Sequence, residues 1–214
     1  MIRLYDYLPS GNGYKVRLLL TQLGIPFERT ELNITKGETR TPEFLRKFPN
    51  GRIPAVELDD GKLLFESNAI ILYFAEDTSF LPSDRFQRAQ VFQWLFFEQY
   101  SHEPYIAVNR HWKLHLPPAE QSRLADRIAQ NHARGEHALA VMEQRLSNSA
   151  WLAAGRYTIA DIALYAYTHT AADGGFDLAP HSGIRAWLNR VRAQPGHIPQ
   201  IQEEQGVPVA KWPG

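Results

Sequence analysis

The sequence predicts two domains of different class, a mixed α/β domain over residues 1–77 and an all-helical domain over 86–214, with a linker at 78–85. Three observations carry this. Strand and helix signals alternate through the first segment, helical spacing alone runs through the second, and Leu81-Pro82-Ser83 interrupts the pattern between them.

Residues 2–7 are a short β-prone run. Val16, Leu19, Leu20 and Leu23 recur at i, i+3, i+4 and i+7, one face of a helix over 15–23 that Gly24-Ile25-Pro26 stops. Residues 27–33 predict a second strand, and 42–47 a short helix opened by Pro42 in its first turn. The runs 54–58 and 62–65 flank Asp59-Asp60-Gly61 and predict a tight antiparallel hairpin, too short for a crossover. Ser67 is placed to cap a helix reaching residue 76, which completes the order β-α-β-α-β-β-α. Beyond the linker, 86–108 predicts a long helix whose Phe92, Trp94, Phe96, Phe97, Tyr100 and Tyr105 serve core or interface, and 124–146 a second. Ile159, Ile162, Ala163 and Ala166 repeat helical spacing, as do Ile184, Trp187, Leu188 and Val191; residues 206–214, with Pro208 and Pro213, read as an extended tail.

Lysine plus arginine and aspartate plus glutamate number 23 each, so no net field favours nucleic acid, an anionic membrane or a highly charged protein. A small-molecule partner is the expectation. No uncharged apolar run approaches the roughly 20 residues that span a bilayer. Strand-like sequence begins at Ile2 without a secretory leader before it, so a cytoplasmic location is expected. The chain has no cysteine, which excludes disulfides, thiolate metal ligands and a cysteine nucleophile of its own. Any thiol chemistry must use the thiol of a ligand.

Two motifs invite other readings. Gly11-x-Gly13 after the first strand partly fits a dinucleotide-binding turn with Glu31 as the ribose-binding acid. Val16 stands at the third glycine position, and the hairpin breaks the repeated crossover, so the fit is poor. His111 and His115 have metal-ligand spacing, but no third ligand is placed to complete a set and Pro117-Pro118 ends the segment. No metal is expected, and both histidines read as structural or surface residues.

The segment Phe48-Pro49-Asn50-Gly51-Arg52-Ile53-Pro54-Ala55-Val56-Glu57-Leu58, followed by Leu64-Phe65-Glu66-Ser67-Asn68-Ala69-Ile70, closely resembles the glutathione-site core of the soluble glutathione transferases. The resemblance implies a thioredoxin-like first domain with Pro54 cis. It further implies that the backbone of Ile53 pairs with the cysteinyl part of glutathione, and that Glu66 and Ser67 hold its γ-glutamyl end. The chemistry suits the residues: an X-Pro bond takes the cis form at a cost of only about 0.5 to 1 kcal/mol, a helix start receives a carboxylate, and a glutamate accepts from an ammonium. Alone, Ser67 reads as a helix cap and Glu66 as a strand end; the Pro54 segment upstream turns the balance towards a ligand. Gly155-Arg156-Tyr157-Thr158-Ile159-Ala160-Asp161 has capping-box spacing. It resembles the buried capping motif of the same family's helical domain, as Ala186-Trp187-Leu188-Asn189-Arg190-Val191 resembles its later helix, and both are assigned to folding.

The family places its thiol-activating residue in the turn that here reads Tyr7-Leu8-Pro9-Ser10-Gly11-Asn12-Gly13. Ser10 matches the serine of the serine-type classes. Asn12 matches the asparagine of certain bacterial classes, in which a threonine or serine stands two residues earlier. The resemblance therefore implies a bacterial-like, serine/asparagine-type site, with Tyr5 and Tyr7 as rivals from the tyrosine-type classes. Ser10 and Asn12 are expected in the turn before a helix beginning near Tyr14 or Lys15, with Gly11 and Gly13 letting a ligand approach the backbone. Arg40 lies where several classes present a basic residue to the glycine carboxylate of glutathione. Tyr105, His111 and Trp112 are the candidates for the electrophile pocket. The implied function is a homodimeric glutathione transferase with glutathione as co-substrate, conjugating it to an electrophilic small molecule or using it to reduce peroxides or disulfides. The alternative is a non-enzymatic binding or scaffold protein of the same fold.

Overall fold

The computed structural model describes residues 1–201 and the backbone of 209–211. Two compact units divide the chain, Met1–Glu76 with Pro195–Gly214, and Asp77–Gln194. Residues from Pro195 on, expected in the helical domain, thus group with the first unit.

In the first unit, β1 (Ile2–Asp6), α1 (Gly11–Leu23), β2 (Phe27–Glu31), α2 (Pro42–Lys47), β3 (Ala55–Glu57), β4 (Leu63–Phe65) and α3 (Ser67–Ala75) follow in the expected order. The sheet runs β4-β3-β1-β2, with β2 parallel to β1 and the β3–β4 hairpin antiparallel. This is the thioredoxin-like arrangement. Its antiparallel half is incompatible with the all-parallel crossover sheet that the dinucleotide reading requires. Of the extended tail expected over 206–214, Val209–Lys211 forms a further strand, β5, parallel to β2 at the sheet's edge, and the remainder lies outside the described residues. On one face of the sheet Tyr5, Leu32 and Ala55 close over Phe44 and Phe48, with Ile53 packed against them. Gly24 ends α1 in the left-handed conformation (φ 65°), as its position after the last periodic residue requires.

The second unit is helical: α4 (Arg85–Phe97), α5 (Glu103–His115), α6 (Pro118–Arg123), α7 (Ala125–Leu146), α8 (Ile159–Thr168) and α9 (Ser182–Arg192). The long helix expected to end near residue 108 instead reaches His115, crossing a π-turn at Glu98–His102. Pro104 lies just beyond and has no N–H to give the turn before it, so the hydrogen-bond ladder widens there and then resumes. Every residue of α8 is buried. Its start is closed by the expected capping box: Thr158 Oγ1 accepts from the Ala160 N–H (3.3 Å) and Asp161 from the Thr158 N–H (2.9 Å). Asp161, fully buried, also accepts from the Leu152 N–H (3.1 Å) and Trp187 Nε1–H (2.9 Å). Burial pushes its pKa up to about 6 against the pull of these donors. Among the described residues no helix is long and apolar enough to cross a membrane.

Candidate functional site

Strand β1 delivers the chain into a loop, Tyr7 to Ser10, that charged groups of the first unit hold from below. Asp6 and Arg17, both fully buried, pair at 2.9 Å. Arg17 also donates to the Leu8 and Gln200 carbonyls (2.9 Å each), and Gln200 Nε2 donates to the Pro9 carbonyl (2.8 Å). The Leu8 N–H donates to Glu31 (3.1 Å), whose carboxyl pKa is raised by burial and held back by Leu8 and Arg29. Glu31, the acid of the dinucleotide reading, is thus a strut under this loop.

Helix α1 starts earlier than the sequence suggested. Ser10 is its N-cap, with Oγ accepting from the Gly13 N–H at 3.2 Å, and Asn12 stands inside its first turn. The glycines caused the misplacement, because Ser-Gly-Asn-Gly reads as a turn. Gly13 also has a reason other than ligand approach: a Cβ there would lie 1.6 Å from Asp6 Oδ1. Its missing side chain makes room for the buried ion pair. A serine hydroxyl that accepts a cap bond keeps its one proton to donate, and the helix N-terminus adds positive potential beside it.

The second part of the site comes from the β3–β4 hairpin and α3. The Ile53–Pro54 peptide is cis, as expected. Glu66 takes φ 69° and ψ 113°, a conformation that costs a residue with a Cβ of order 1–3 kcal/mol. Among the described residues no side chain caps α3. Ser67, expected as that cap, is instead the helix's first residue: the turn at Glu66 carries its hydroxyl away from its own backbone and towards α1. There Ser67 Oγ donates to Asn12 Oδ1 (3.3 Å) and accepts from Lys15 Nζ (3.3 Å), while Lys15 Nζ also meets Asn68 Oδ1 (3.4 Å). Asn50 Nδ2 donates to Glu66 Oε1 (3.1 Å), and the exposed Arg40 donates to the Asn50 carbonyl (3.4 Å) with its guanidinium against Gly51. The structure therefore brings Asn12 and Ser67 into contact and links Arg40 to Glu66 through Asn50. Sequence reasoning missed Lys15, Asn50 and Asn68. A lysine one position before Val16 resembles the solvated edge of a helix, yet this one is fully buried.

The rival Tyr5 is engaged elsewhere. Its ring is 1% exposed in the core, and its hydroxyl donates to Glu57 (2.7 Å) and accepts from Lys47 (3.1 Å). Lys47, with help from Tyr5, in turn holds the Glu57 carboxyl below its ordinary pKa. Tyr7 is half-buried, and its carbonyl accepts from the Ser10 N–H (2.7 Å).

In the second unit, Tyr105 and Trp112 lie seven residues apart on one face of α5 and are covered by α7. The Arg134 and Arg127 guanidinium groups sit over their rings at 5.4 and 5.3 Å. His111 points to another side, its ring 4.9 Å from that of His115; partial burial of the imidazole, then His115 and Arg110, lower its pKa. None of the three lines the open cleft of about 670 Å³ bounded by Lys113, Pro118, Ile128 and His132. Among the described residues no three histidine, aspartate or glutamate side chains gather as a metal set.

The family model for the glutathione S-transferase N-terminal domain matches residues 1–76, and that for the glutathione S-transferase C-terminal domain matches 100–195. The chain is 35% identical over 202 residues to the disulfide-bond oxidoreductase YfcG of Escherichia coli (strain K12), covering 91% of this chain and 92% of that protein. A glutathione S-transferase crystal structure from Pseudomonas fluorescens Pf-5 aligns with TM-score 0.90 and 49% identity over 94% of this chain and 99% of that one. Another, from Xanthobacter autotrophicus Py2, aligns with TM-score 0.86 and 46% identity over 92% of this chain and 96% of that one. The chain belongs to the glutathione S-transferase family.

Proposed function

We propose that this chain binds glutathione in its first unit, stabilises the bound thiolate with Ser10 and Asn12, and directs it at an electrophilic carbon or at a disulfide. The observation that carries the reading is the Ser67–Asn12 hydrogen bond, 3.3 Å long across 55 residues of sequence, which joins the two motifs the reading requires. Glu66 and Ser67, with the α3 N-terminus, receive the γ-glutamyl ammonium and carboxylate. The cis Ile53–Pro54 backbone takes the cysteinyl portion, and Arg40 takes the glycine carboxylate. An ordinary thiol has a pKa of about 8.5, so a thiolate at neutral pH requires about two units of lowering, or roughly 3 kcal/mol. A hydrogen bond to a charged acceptor supplies about 1.5 to 3 kcal/mol and a helix N-terminus about 0.3 to 1. One donor plus the helix barely reaches the requirement, and two donors exceed it.

Conjugation forms a sulfur–carbon bond and expels a leaving group. Disulfide reduction forms a mixed disulfide and expels the other thiolate. The likeness to a disulfide-bond oxidoreductase favours the second, and with no cysteine in the chain the exchange runs entirely through glutathione sulfur. The test is titration of bound glutathione by thiolate absorbance. Ser10→Ala and Asn12→Ala are each expected to raise the thiol pKa by about one unit or more; an unchanged pKa in both, with glutathione still bound, sinks the assignment. Turnover with mixed disulfides, hydroperoxides and aryl halides then ranks the reactions and separates an enzyme from a scaffold.

The same reading includes a cytoplasmic homodimer of the bacterial serine/asparagine type. Phe86, Phe96 and Tyr100, 71%, 73% and 82% exposed on α4 and the turn after it, supply apolar surface for a second copy. Sedimentation of dilute protein as a monomer counts against the dimer.

A further inference from the structure

Resting on that reading, we infer that Lys15 is a positioning residue of the thiol site, acting through Ser67 to fix which edge of the Asn12 amide faces the bound sulfur. Lys15 projects from the first turns of α1, one helical turn after Asn12, into the interface with α3. Its ammonium is fully buried and meets Ser67 Oγ at 3.3 Å and Asn68 Oδ1 at 3.4 Å. An ammonium has donors and no acceptor. At the Lys15–Ser67 contact the serine oxygen therefore has to accept, and the one hydroxyl proton of Ser67 is available to Asn12 Oδ1, 3.3 Å away.

The direction of this chain has a chemical consequence. With the carbonyl edge of Asn12 taken by Ser67, Nδ2 is the edge we assign to the bound sulfur. A thiolate is stabilised by that N–H edge and repelled by the carbonyl edge. Reversing the amide would place Nδ2 against the Ser67 oxygen, which would then accept from two donors and lose its own acceptor. Lys15 thereby selects the amide orientation that helps a thiolate. Its buried positive charge acts in the same sense, because a nearby cation favours the ionised form of an acid. The chain also makes Ser67 serve two parts of the ligand: its backbone lies at the helix start that the reading gives to the glutamyl carboxylate, while its hydroxyl governs Asn12.

The experiment separates this role from a structural one by reading the thiol pKa at saturating glutathione, where weakened binding no longer contributes. Lys15→Met removes the charge and the donor at similar length. Ser67→Ala leaves Lys15 in place and cuts the link. Each is expected to raise the bound thiol pKa by about half a unit or more, and Lys15→Met is expected to add little further shift in an Asn12→Ala background. If Lys15→Met lowers thermal stability while leaving the thiol pKa untouched, or if its effect adds in full to that of Asn12→Ala, the inference is overturned. Should Lys15→Met fail to fold, Ser67→Ala carries the test alone: a weaker glutathione affinity with an unchanged thiol pKa overturns the coupling. If Ser10→Ala and Asn12→Ala themselves leave the pKa unmoved, the proposed function and this inference fall together. If those two move it and Lys15→Met and Ser67→Ala do not, only the inference falls.

Discussion

Two helix starts in this protein carry a threonine or serine where a cap is expected, and they use it in opposite ways. At α8, Thr158 and Asp161 turn their oxygens onto the chain's own N–H groups, and Trp187 adds a donor from α9. At α3, the left-handed turn at Glu66 sends the Ser67 hydroxyl to Lys15 and Asn12, and among the described residues no side chain caps the helix. The first start is saturated, buried and internal to the fold. The second directs its serine hydroxyl to a neighbouring helix. Similar residues at similar positions thus differ in whether their side chains serve their own helix start or tie it to a neighbouring helix.

The contrast breaks most visibly if Asp161 proves dispensable. Asp161→Ala leaves the Leu152 and Thr158 N–H groups and the Trp187 indole N–H without their buried acceptor. At about 1 to 3 kcal/mol for each orphaned donor, partly relieved by water entry, the expected loss of stability is about 3 to 5 kcal/mol. Denaturant unfolding measures it, and a loss below about 1 kcal/mol would mean that these donors find other partners. The same residue predicts a pH dependence. Its folded pKa of about 6 lies above the ordinary aspartate value of 3.8, so its contribution to stability is fully present below about pH 4 and is lost as pH rises to about 6. The full loss is on the order of 3 kcal/mol. The stability difference between the parent protein and Asp161→Asn should therefore shrink from pH 4 to 6; growth over that range would mean that folding lowers the Asp161 carboxyl pKa and does not raise it.

At the start of α3, the proposed function predicts effects on binding and not on folding. Ser67→Ala and Glu66→Ala should each weaken glutathione binding by about 1 to 3 kcal/mol, the range for a hydrogen bond to a charged group, with the fold intact by circular dichroism. Glu66→Gly sharpens the comparison. Glycine accepts φ 69° without a Cβ clash, so this variant should gain up to about 1 kcal/mol of stability while binding glutathione as poorly as Glu66→Ala. Calorimetry showing undiminished affinity in either Glu66 variant would remove that carboxylate from the site.

What the sequence revealed follows the same division. The cis Ile53–Pro54 bond was legible because proline makes that conformation accessible, and the Thr158–Asp161 box because its spacing suffices for its geometry. Ser67 falls at the right helix but one position inside it and not as its cap, since nothing local announces a positive φ at a glutamate. The start of α1 was set too late because Gly11 and Gly13 read as a turn, and the demand on Gly13 comes from Asp6 on the preceding strand. Lys15 was missed for a related reason: burial of a lysine is decided by the helix across from it. Strand β5 was hidden because its three residues form a strand only by pairing with β2, far away in sequence.

The smallest expected effect tests whether the thiol site has been placed on the correct side of β1. Tyr5 and Asp6 are neighbours on that strand, so their side chains leave opposite faces of the sheet. Asp6 goes to Gly13 and Arg17 at the start of α1. Tyr5 goes to the cluster of Phe44 and Phe48, ring centroids 5.9 and 5.3 Å away, and its hydroxyl ends between Lys47 and Glu57. A phenol so placed cannot also serve a thiol held beside Ser10 without leaving its core packing. Tyr5→Phe keeps that packing and removes only the hydroxyl, whose partners are partly exposed and retain their own ion pair at 2.7 Å. The expected cost is therefore about 0.5 to 1 kcal/mol of stability, with the thiol pKa of bound glutathione unchanged. Tyr7→Phe should likewise leave the thiolate intact, since it is the Tyr7 carbonyl that orders the Ser10 loop. Loss of the thiolate in either variant, with Ser10→Ala and Asn12→Ala unaffected, would move the activating group to a tyrosine and leave the α1 start as a helix cap alone.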